Sequence, residues 1–285
     1  MTSYVGAQDP DEADRLAAQA AGGLDELRRA LALHPPEPGA HVLELGCGAG
    51  AFTRALLDAL PDATIVATDI DEQLLAAARQ RLAAEVRASR VTVARADARN
   101  LPFPARSFGL VACRFLLMHL ADPLVAVAEM YRVAAVGGVA VAIEPDWGAR
   151  ALYPDAEALD ELLRIARQSR AYGFPDLLLG RKLFALLRAA GFAEVGVRAS
   201  AFSETAANVA VGPAEQPSGP GRLLAQARAL VRRSGAATDD ELDALIARLD
   251  AVVRHPEYFS AGLDFAATGL KRAPDESHAA EEGPS

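Results

Sequence analysis

The chain has 285 residues, 51% of them hydrophobic, with a net charge of −9 and a pI near 5.1. That gives ample material for a core and argues against nucleic acid or an anionic membrane as the main partner. Its two cysteines, Cys47 and Cys113, are too few for a structural zinc site and read as reduced thiols of a cytosolic protein.

Met1 to Pro10 has neither a basic start nor an apolar core, so no secretory leader is expected there. Leu16, Ala20, Leu24, Leu27 and Leu31 recur at helical spacing, with Gly22-Gly23 as a break. This makes residues 1–39 a helical cap that ends at the proline cluster Pro35-Pro36 and Pro38. Strands are expected at His41–Leu45, Thr64–Thr68, Val91–Ala94, Phe108–Cys113 and Val139–Ile143. Helices are expected between them at Ala51–Leu60, Glu72 to about Arg87, with Asp71 as N-cap, and Pro123–Ala135. Val125 to Pro145 is the most apolar long stretch, but Glu129, Arg132 and Gly137-Gly138 divide it into a core helix and a core strand rather than a membrane span. Continuous apolar strands alternating with helices predict an α/β, Rossmann-like fold: a mostly parallel buried sheet with helices on both faces.

The second half has a different rhythm. Ala156–Ala171 and Arg181–Ala190 read as helices, and Glu194–Phe202 as a strand. Gly212–Gly221 is a loop, Arg222–Ser234 and Asp239–Arg254 are a helical pair, and Phe259–Lys271 is the last strand. The expected organisation is a core at 40–203, a helical lid inserted at 204–257, a final core strand at 258–272 and a disordered acidic tail at 273–285.

The chemistry gathers at the strand ends. Val42-Leu43-Glu44-Leu45-Gly46-Cys47-Gly48-Ala49-Gly50 is an apolar strand entering a turn of three glycines, with a helix starting at Ala51. Glycines allow positive φ and close approach of a ligand, and the helix start aims unpaired N–H groups at the same point. In an open parallel sheet, ligands sit beyond the carboxyl ends of the strands. There the chain places Glu44, Gly46, Cys47, Gly48, Asp69, Asp97, Cys113-Arg114 and Glu144. Asp69 can accept the hydroxyls of a ribose, and Asp97 the exocyclic amine of adenine. Glu44 interrupts an apolar strand, where a lone carboxylate is costly, so it needs a donor such as a ligand ammonium or a backbone N–H.

Two ligands suit this pattern. A nicotinamide dinucleotide fits the loose spacing of Gly46, Gly48 and Ala51 with an acid about 20 residues on. S-adenosylmethionine (SAM) fits better. Glu44 would repel a pyrophosphate, a second acid follows strand three, and no Tyr-x-x-x-Lys pair is present for hydride transfer.

The Val42–Gly50 stretch resembles motif I of the class I SAM-dependent methyltransferases. Asp69 stands at that family's ribose position, and Arg95-Ala96-Asp97-Ala98 with Leu101-Pro102-Phe103 resembles its adenine-side motif. Phe108 to Pro123, ending His119-Leu120-Ala121-Asp122-Pro123, and Tyr131-Arg132-Val133 with Gly137-Gly138, resemble the later motifs of the ubiquinone/menaquinone-biosynthesis type. The resemblance covers residues 40 to 145 and implies a seven-stranded sheet whose last strand is antiparallel. It also implies that the methionine part of SAM lies against Glu44, Gly46 and the backbone near Cys113-Arg114. Ile70 and Ala98 would flank the adenine, and Gln73, in the first turn of the next helix, joins the cofactor set. Arg15 from the N-terminal helix would hold the SAM carboxylate, and Tyr4 would fold over the pocket.

The expected function is methyl transfer from SAM to a small organic molecule, a secondary metabolite or quinone-like acceptor. The alternatives are a SAM-fold protein that no longer transfers methyl groups and, behind it, a NAD(P)-dependent oxidoreductase. His119, after strand four, is the candidate base, since imidazole titrates near neutral pH. Glu144 and Asp146 are alternatives that would otherwise bind polar groups of the acceptor. Trp147 could stack on a flat acceptor, with Tyr153, Tyr172 and Phe174 on the same wall. His255 and Tyr258 near the last strand are weaker candidates. No metal is expected, the location is cytoplasmic, and a homodimer is compatible with the sequence.

Overall fold

The computed structural model describes residues 23–209, 211 and 217–273. Seven strands form one sheet: β1 (His41–Leu45), β2 (Thr64–Asp69), β3 (Val91–Arg95), β4 (Phe108–Arg114), β5 (Ala134–Tyr153), β6 (Ala193–Thr205) and β7 (Phe259–Leu270). Their order is β3-β2-β1-β4-β5-β7-β6. β1 to β5 pair in parallel, whereas β7 runs antiparallel to both β5 and β6. The expected seven-stranded sheet with an antiparallel last strand is therefore present.

The helices are α1 (Gly23–Leu31), α2 (Ala51–Ala59), α3 (Glu72–Arg81), α4 (Ala83–Arg87), α5 (Pro123–Val133), α6 (Ala156–Ser169), α7 (Leu183–Ala189), α8 (Gly219–Gln226), α9 (Arg228–Ser234) and α10 (Asp239–Val253). One core lies between the sheet and α1, α2 and α3, where Val42, Ile65, Leu110, Val141, Ile143 and Ala266 meet Leu27, Leu56 and Leu75. The other face meets α5 and α7 and continues into a helical layer built from α6 and α8–α10. Side chains alternate along each strand, so this division assigns every strand-tip residue to a face.

Several boundaries differ from the sequence reading. The Glu72–Arg87 helix breaks at Leu82, which caps α3 and begins α4. The Arg222–Ser234 helix starts earlier, at Gly219 with Pro220 in the first turn, and breaks at Ala227. The largest difference is β5. It runs for 20 residues instead of ending at Ile143, because after a bulge between Asp146 and Ala151 it continues to pair with β7. β6 follows β7 out to Thr205, so β5, β7 and β6 form an antiparallel ribbon that projects past the parallel strands. Antiparallel neighbours satisfy backbone groups that an isolated extension would leave unpaired.

Candidate active site

The glycine turn is built as its composition requires. Gly46, Gly48 and Gly50 have φ of 68°, 52° and 82°, a region that side-chain-bearing residues avoid. A Cβ on Gly46 would stand 2.8 Å from Leu116 Cδ1, and one on Gly50 would stand 2.8 Å from Leu82 Cδ1. Cys47 N–H donates to the Thr68 carbonyl at 2.9 Å, which ties the turn to the end of β2.

Asp69 locks this turn from β2. One carboxylate oxygen accepts Gly48 N–H and the other accepts Asp71 N–H, both at 2.9 Å. Each oxygen keeps a lone pair for a further donor. Burial holds the Asp69 pKa above the usual carboxylate range, against the pull of those backbone donors. Ile70 follows at 41% exposure, an apolar side chain uncovered beside the acid. Asp71 then caps α3, accepting from the N–H groups of Gln73 and Leu74.

Glu44 is fully buried and points toward α2. One of its oxygens accepts the Thr53 hydroxyl at 2.6 Å, and the other, Oε1, meets no partner. Burial raises its pKa to about 8, and the neighbouring charge of Asp69 adds to that. A buried carboxyl with one empty oxygen beside a turn too tight for side chains fits an ammonium group. Thr53 was missed in the sequence reading, although a lone hydroxyl on the apolar stripe of α2 was a legible signal.

Asp97 has a different environment. Its carboxylate forms a forked ion pair with the Arg99 guanidinium, with contacts of 2.6 to 3.2 Å, and the Arg99 side chain lowers its pKa. An adenine amine would have to compete with that guanidinium. Both residues are partly exposed, so exchange involves little desolvation.

Beyond β4 the chain makes a single 3-10 turn, Leu117–His119, entered through Phe115 at a φ of 54°. Glu144 secures this turn: its Oε1 accepts Leu117 N–H at 2.6 Å. Glu144 is fully buried, its second oxygen has no partner, and burial pushes its pKa to about 8. Its place is therefore under the turn that presents His119, not on a wall facing an acceptor. Asp146 is similarly committed. It is 2% exposed and forms a forked ion pair with Arg181 at 2.5 and 2.7 Å. Phe174 is wholly inside the core, whereas Tyr153 and Tyr172 are about half exposed. Trp147 is half-buried, with the Arg150 guanidinium 5.0 Å from its ring centre. Tyr258 is buried and donates to Glu204, and His255 accepts a local N–H from Glu257. Cys113 is buried, and burial pushes its thiol up in pKa. Tyr4 and Arg15 lie outside the described residues.

Strand register brings Glu44, Asp69, Arg114 and the 3-10 turn to one end of the sheet. Leu45 lies beside both Thr68 and Cys113, and Arg114 lies beside Ile143. Arg114 emerges on the α1 face, where Glu26 of α1 stands 3.8 Å away. Burial, reinforced by Asp264 and opposed by Arg114, raises the Glu26 pKa to about 7. Among the described residues no group of three or more metal-ligating side chains is present, and no helix is long and apolar enough to cross a membrane.

Residues 43–142 match the sequence profile of a methyltransferase domain. The demethylmenaquinone methyltransferase of Symbiobacterium thermophilum is 34% identical over 110 residues, covering 38% of this chain and 43% of that protein. The malonyl-[acyl-carrier protein] O-methyltransferase of Alcanivorax borkumensis is 40% identical over 112 residues, covering 39% of this chain and 37% of that protein. The chain thus spans less than half the length of each of these curated relatives. The Haemonchus contortus phosphoethanolamine N-methyltransferase 2, solved with SAM, superposes with a TM-score of 0.51 at 18% identity, covering 87% of this chain and 53% of that one. That likeness is one of fold. Over residues 43–142 the chain is thus similar to methyltransferase domains, and its sheet has the fold of the solved methyltransferase.

Proposed function

We propose that this protein transfers the methyl group of SAM to a small organic acceptor, a quinol-like or related secondary metabolite. The observation that carries this reading is the empty, buried Oε1 of Glu44 beside the Gly46–Gly50 turn, within a segment that matches a methyltransferase domain. In this reading Glu44 receives the ammonium of SAM and the open lone pairs of Asp69 receive the ribose. Ile70 and Ala98 enclose the adenine, with Gln73 beside them, and Asp97 takes the adenine amine by exchange with Arg99. Gly46 to Gly48 and the Cys113-Arg114 backbone flank the methionyl chain. SAM supplies a methyl group already activated on sulfur, so the residues around it chiefly align the partners and exclude water.

His119, held by the turn that Glu144 anchors, stands as a candidate base at the mouth of the site. Trp147 and Tyr172 supply aromatic surface for a flat acceptor. The helices between β6 and β7, packed on α6, serve as the lid. The quinol-like acceptor is favoured because a relative of this domain is a demethylmenaquinone methyltransferase. A cytoplasmic location fits the two reduced thiols, and a homodimer is compatible with the fold.

Calorimetry decides the cofactor: saturable binding of SAM and none of NAD(P)H is expected, and the reverse would overturn the reading. Methyl-labelled SAM incubated with phenols, catechols and hydroquinones decides the activity. SAM binding with no label transferred to any of them would leave a SAM-fold protein without methyl transfer.

A further inference from the structure

The end of the sheet opposite the glycine turn concentrates positive charge. β4 and β5 begin there, and β7 ends there at Leu270, beside Val139. Along β5 that end stands about 17 Å from Glu144 at ordinary strand rise. A cavity of about 340 Å³ opens between these strands and α5. Arg106, Arg132, Lys271 and Arg272 line it, Tyr131 and Val136 form its apolar wall, and among the described residues no acid lines it.

The way α5 ends brings these residues together. The last carbonyls of a helix need donors from outside it. Arg106 N–H donates to the Arg132 carbonyl at 3.0 Å, and Ser107 N–H to that of Val133 at 2.8 Å. Lys271 Nζ donates to the carbonyls of Tyr131, Arg132 and Ala134 at 2.6, 3.2 and 2.9 Å, and lies 4.6 Å from the centre of the Tyr131 ring. Arg106 and Lys271 thus meet on one oxygen, that of Arg132. Arg106 is held there at a φ of 62°, in the left-handed region. Capping does not call for an arginine at that position: its backbone makes the bond, and Gly or Asn would take that φ at less cost.

The charges around the cavity do not balance. Arg132 forks onto Glu129 at 2.6 and 2.8 Å, and Arg272 pairs with Glu194. Lys271 is 6% exposed and Arg106 is exposed, and among the described residues neither side chain forms an ion pair. The helix end that Lys271 caps offsets only about half a charge, so about one and a half positive charges remain. Burial, then the charges of Arg106 and Arg132, pull the Lys271 pKa down, as expected of a cation short of a counterion. The excess is local, in a chain whose net charge is −9.

We propose that this cavity is a binding site for a phosphate monoester with a small apolar or aromatic body. The dianion of such an ester matches the excess charge. Its oxygens accept from the Arg106 guanidinium, a planar fork suited to phosphate. Lys271, its donors taken by carbonyls, contributes charge rather than hydrogen bonds. Tyr131 and Val136 cover the body of the ligand, and the volume is that of a small-metabolite site. The site stands apart from the glycine turn, so it does not rest on the protein being a methyltransferase and can fill while SAM is bound.

The test titrates the full-length protein calorimetrically with phenyl phosphate, inorganic phosphate and chloride at constant ionic strength, with and without SAM. Phenyl phosphate should bind saturably and chloride should not. Contact of the ring with Tyr131 and Val136 should make phenyl phosphate at least about 5-fold tighter than inorganic phosphate. Its affinity should be the same when SAM is present. Arg106→Asn, which tolerates the left-handed φ, should weaken phenyl phosphate about 10-fold or more, the worth of a lost charge-assisted hydrogen bond. Arg106→Lys should restore part of that loss, and melting temperature and SAM affinity should hold in both variants. Equal binding by Arg106→Asn and the unaltered protein, equal affinity for the two phosphates, displacement by SAM, or no saturable binding would each overturn the assignment.

Discussion

The two ends of the sheet handle polar groups in opposite ways. On the side of β1 and β2, acids are anchored by backbone and hydroxyl donors close in sequence: Asp69 by Gly48 and Asp71, Glu44 by Thr53. Each anchor leaves an oxygen with spare capacity. On the side of β5, β6 and β7, acids are paired with arginines far away in the chain: Asp146 with Arg181, Glu204 with Arg150, and Asp155 with Arg248. Local donors position a carboxyl and leave an oxygen open, whereas the guanidinium forks on Asp146 and Asp155 consume both oxygens. The first region is arranged for a ligand of fixed chemistry. The second is arranged mainly to hold a long ribbon in shape, and Glu144, anchored by the Leu117 N–H with its other oxygen empty, is an exception within it.

This contrast can be broken in several places. The largest effect is expected on pH dependence. Glu26, Glu44 and Glu144 have folded-state pKa values of about 7, 8 and 8, above the unfolded value of 4.5. The folded state therefore binds more protons between about pH 4.5 and pH 8, and stability must fall as pH rises through that window. Melting temperature from pH 5 to 9 should show the fall, and Glu44→Gln should flatten its share. An ammonium bound at Glu44 would favour its ionised form, so SAM binding near pH 7 should release a proton. Calorimetry in buffers of different ionisation enthalpy reads this directly, and no buffer dependence would contradict the role of Glu44.

Gly46→Ala comes next. A left-handed residue costs about 1–2 kcal/mol, and displacing Leu116 adds to it, for a total of about 2–3 kcal/mol in chemical denaturation. Asp69→Ala should weaken SAM by about 1–3 kcal/mol, the usual cost of unpairing a buried polar partner. Unaltered affinity would remove its ribose role. Arg181→Ala should lower stability by about 1 kcal/mol, reduced from a fully buried pair because Arg181 is half exposed, and should leave SAM affinity unchanged. A loss of SAM affinity there would erase the division between the two regions. The smallest effect belongs to Arg99→Ala. Freeing Asp97 from its fork should tighten SAM slightly, by less than about 1 kcal/mol. Weaker binding would mean that Arg99 itself touches the ligand.

The same signal carried different weight in the two regions. A charged residue inside an apolar strand marked Glu44, because the glycine turn two residues later supplied a reason for it. Asp264 in Phe259–Leu270 shows the same interruption, but no motif stands beside it, and its strand neighbours Pro145 and Ser200 are more than 60 residues away. Glu144 and Asp146 stood out in the sequence for the right reason, being acids at a strand end. Only their partners, Leu117 and Arg181, show that they hold structure together.

From the sequence by itself came the α/β alternation, the glycine turn, the Asp71 cap and the acids at the tips of β1 and β2, because each depends on residues within a few positions of one another. The long β5–β7–β6 ribbon, the burial of Glu144 beneath the His119 turn, the Arg181 fork on Asp146 and the Glu26–Arg114 pair depended on the tertiary structure. These are contacts between elements distant in the chain, set by strand order and by which face of the sheet each side chain takes. Hydrophobic periodicity records that a residue is buried, but it does not record what it meets there.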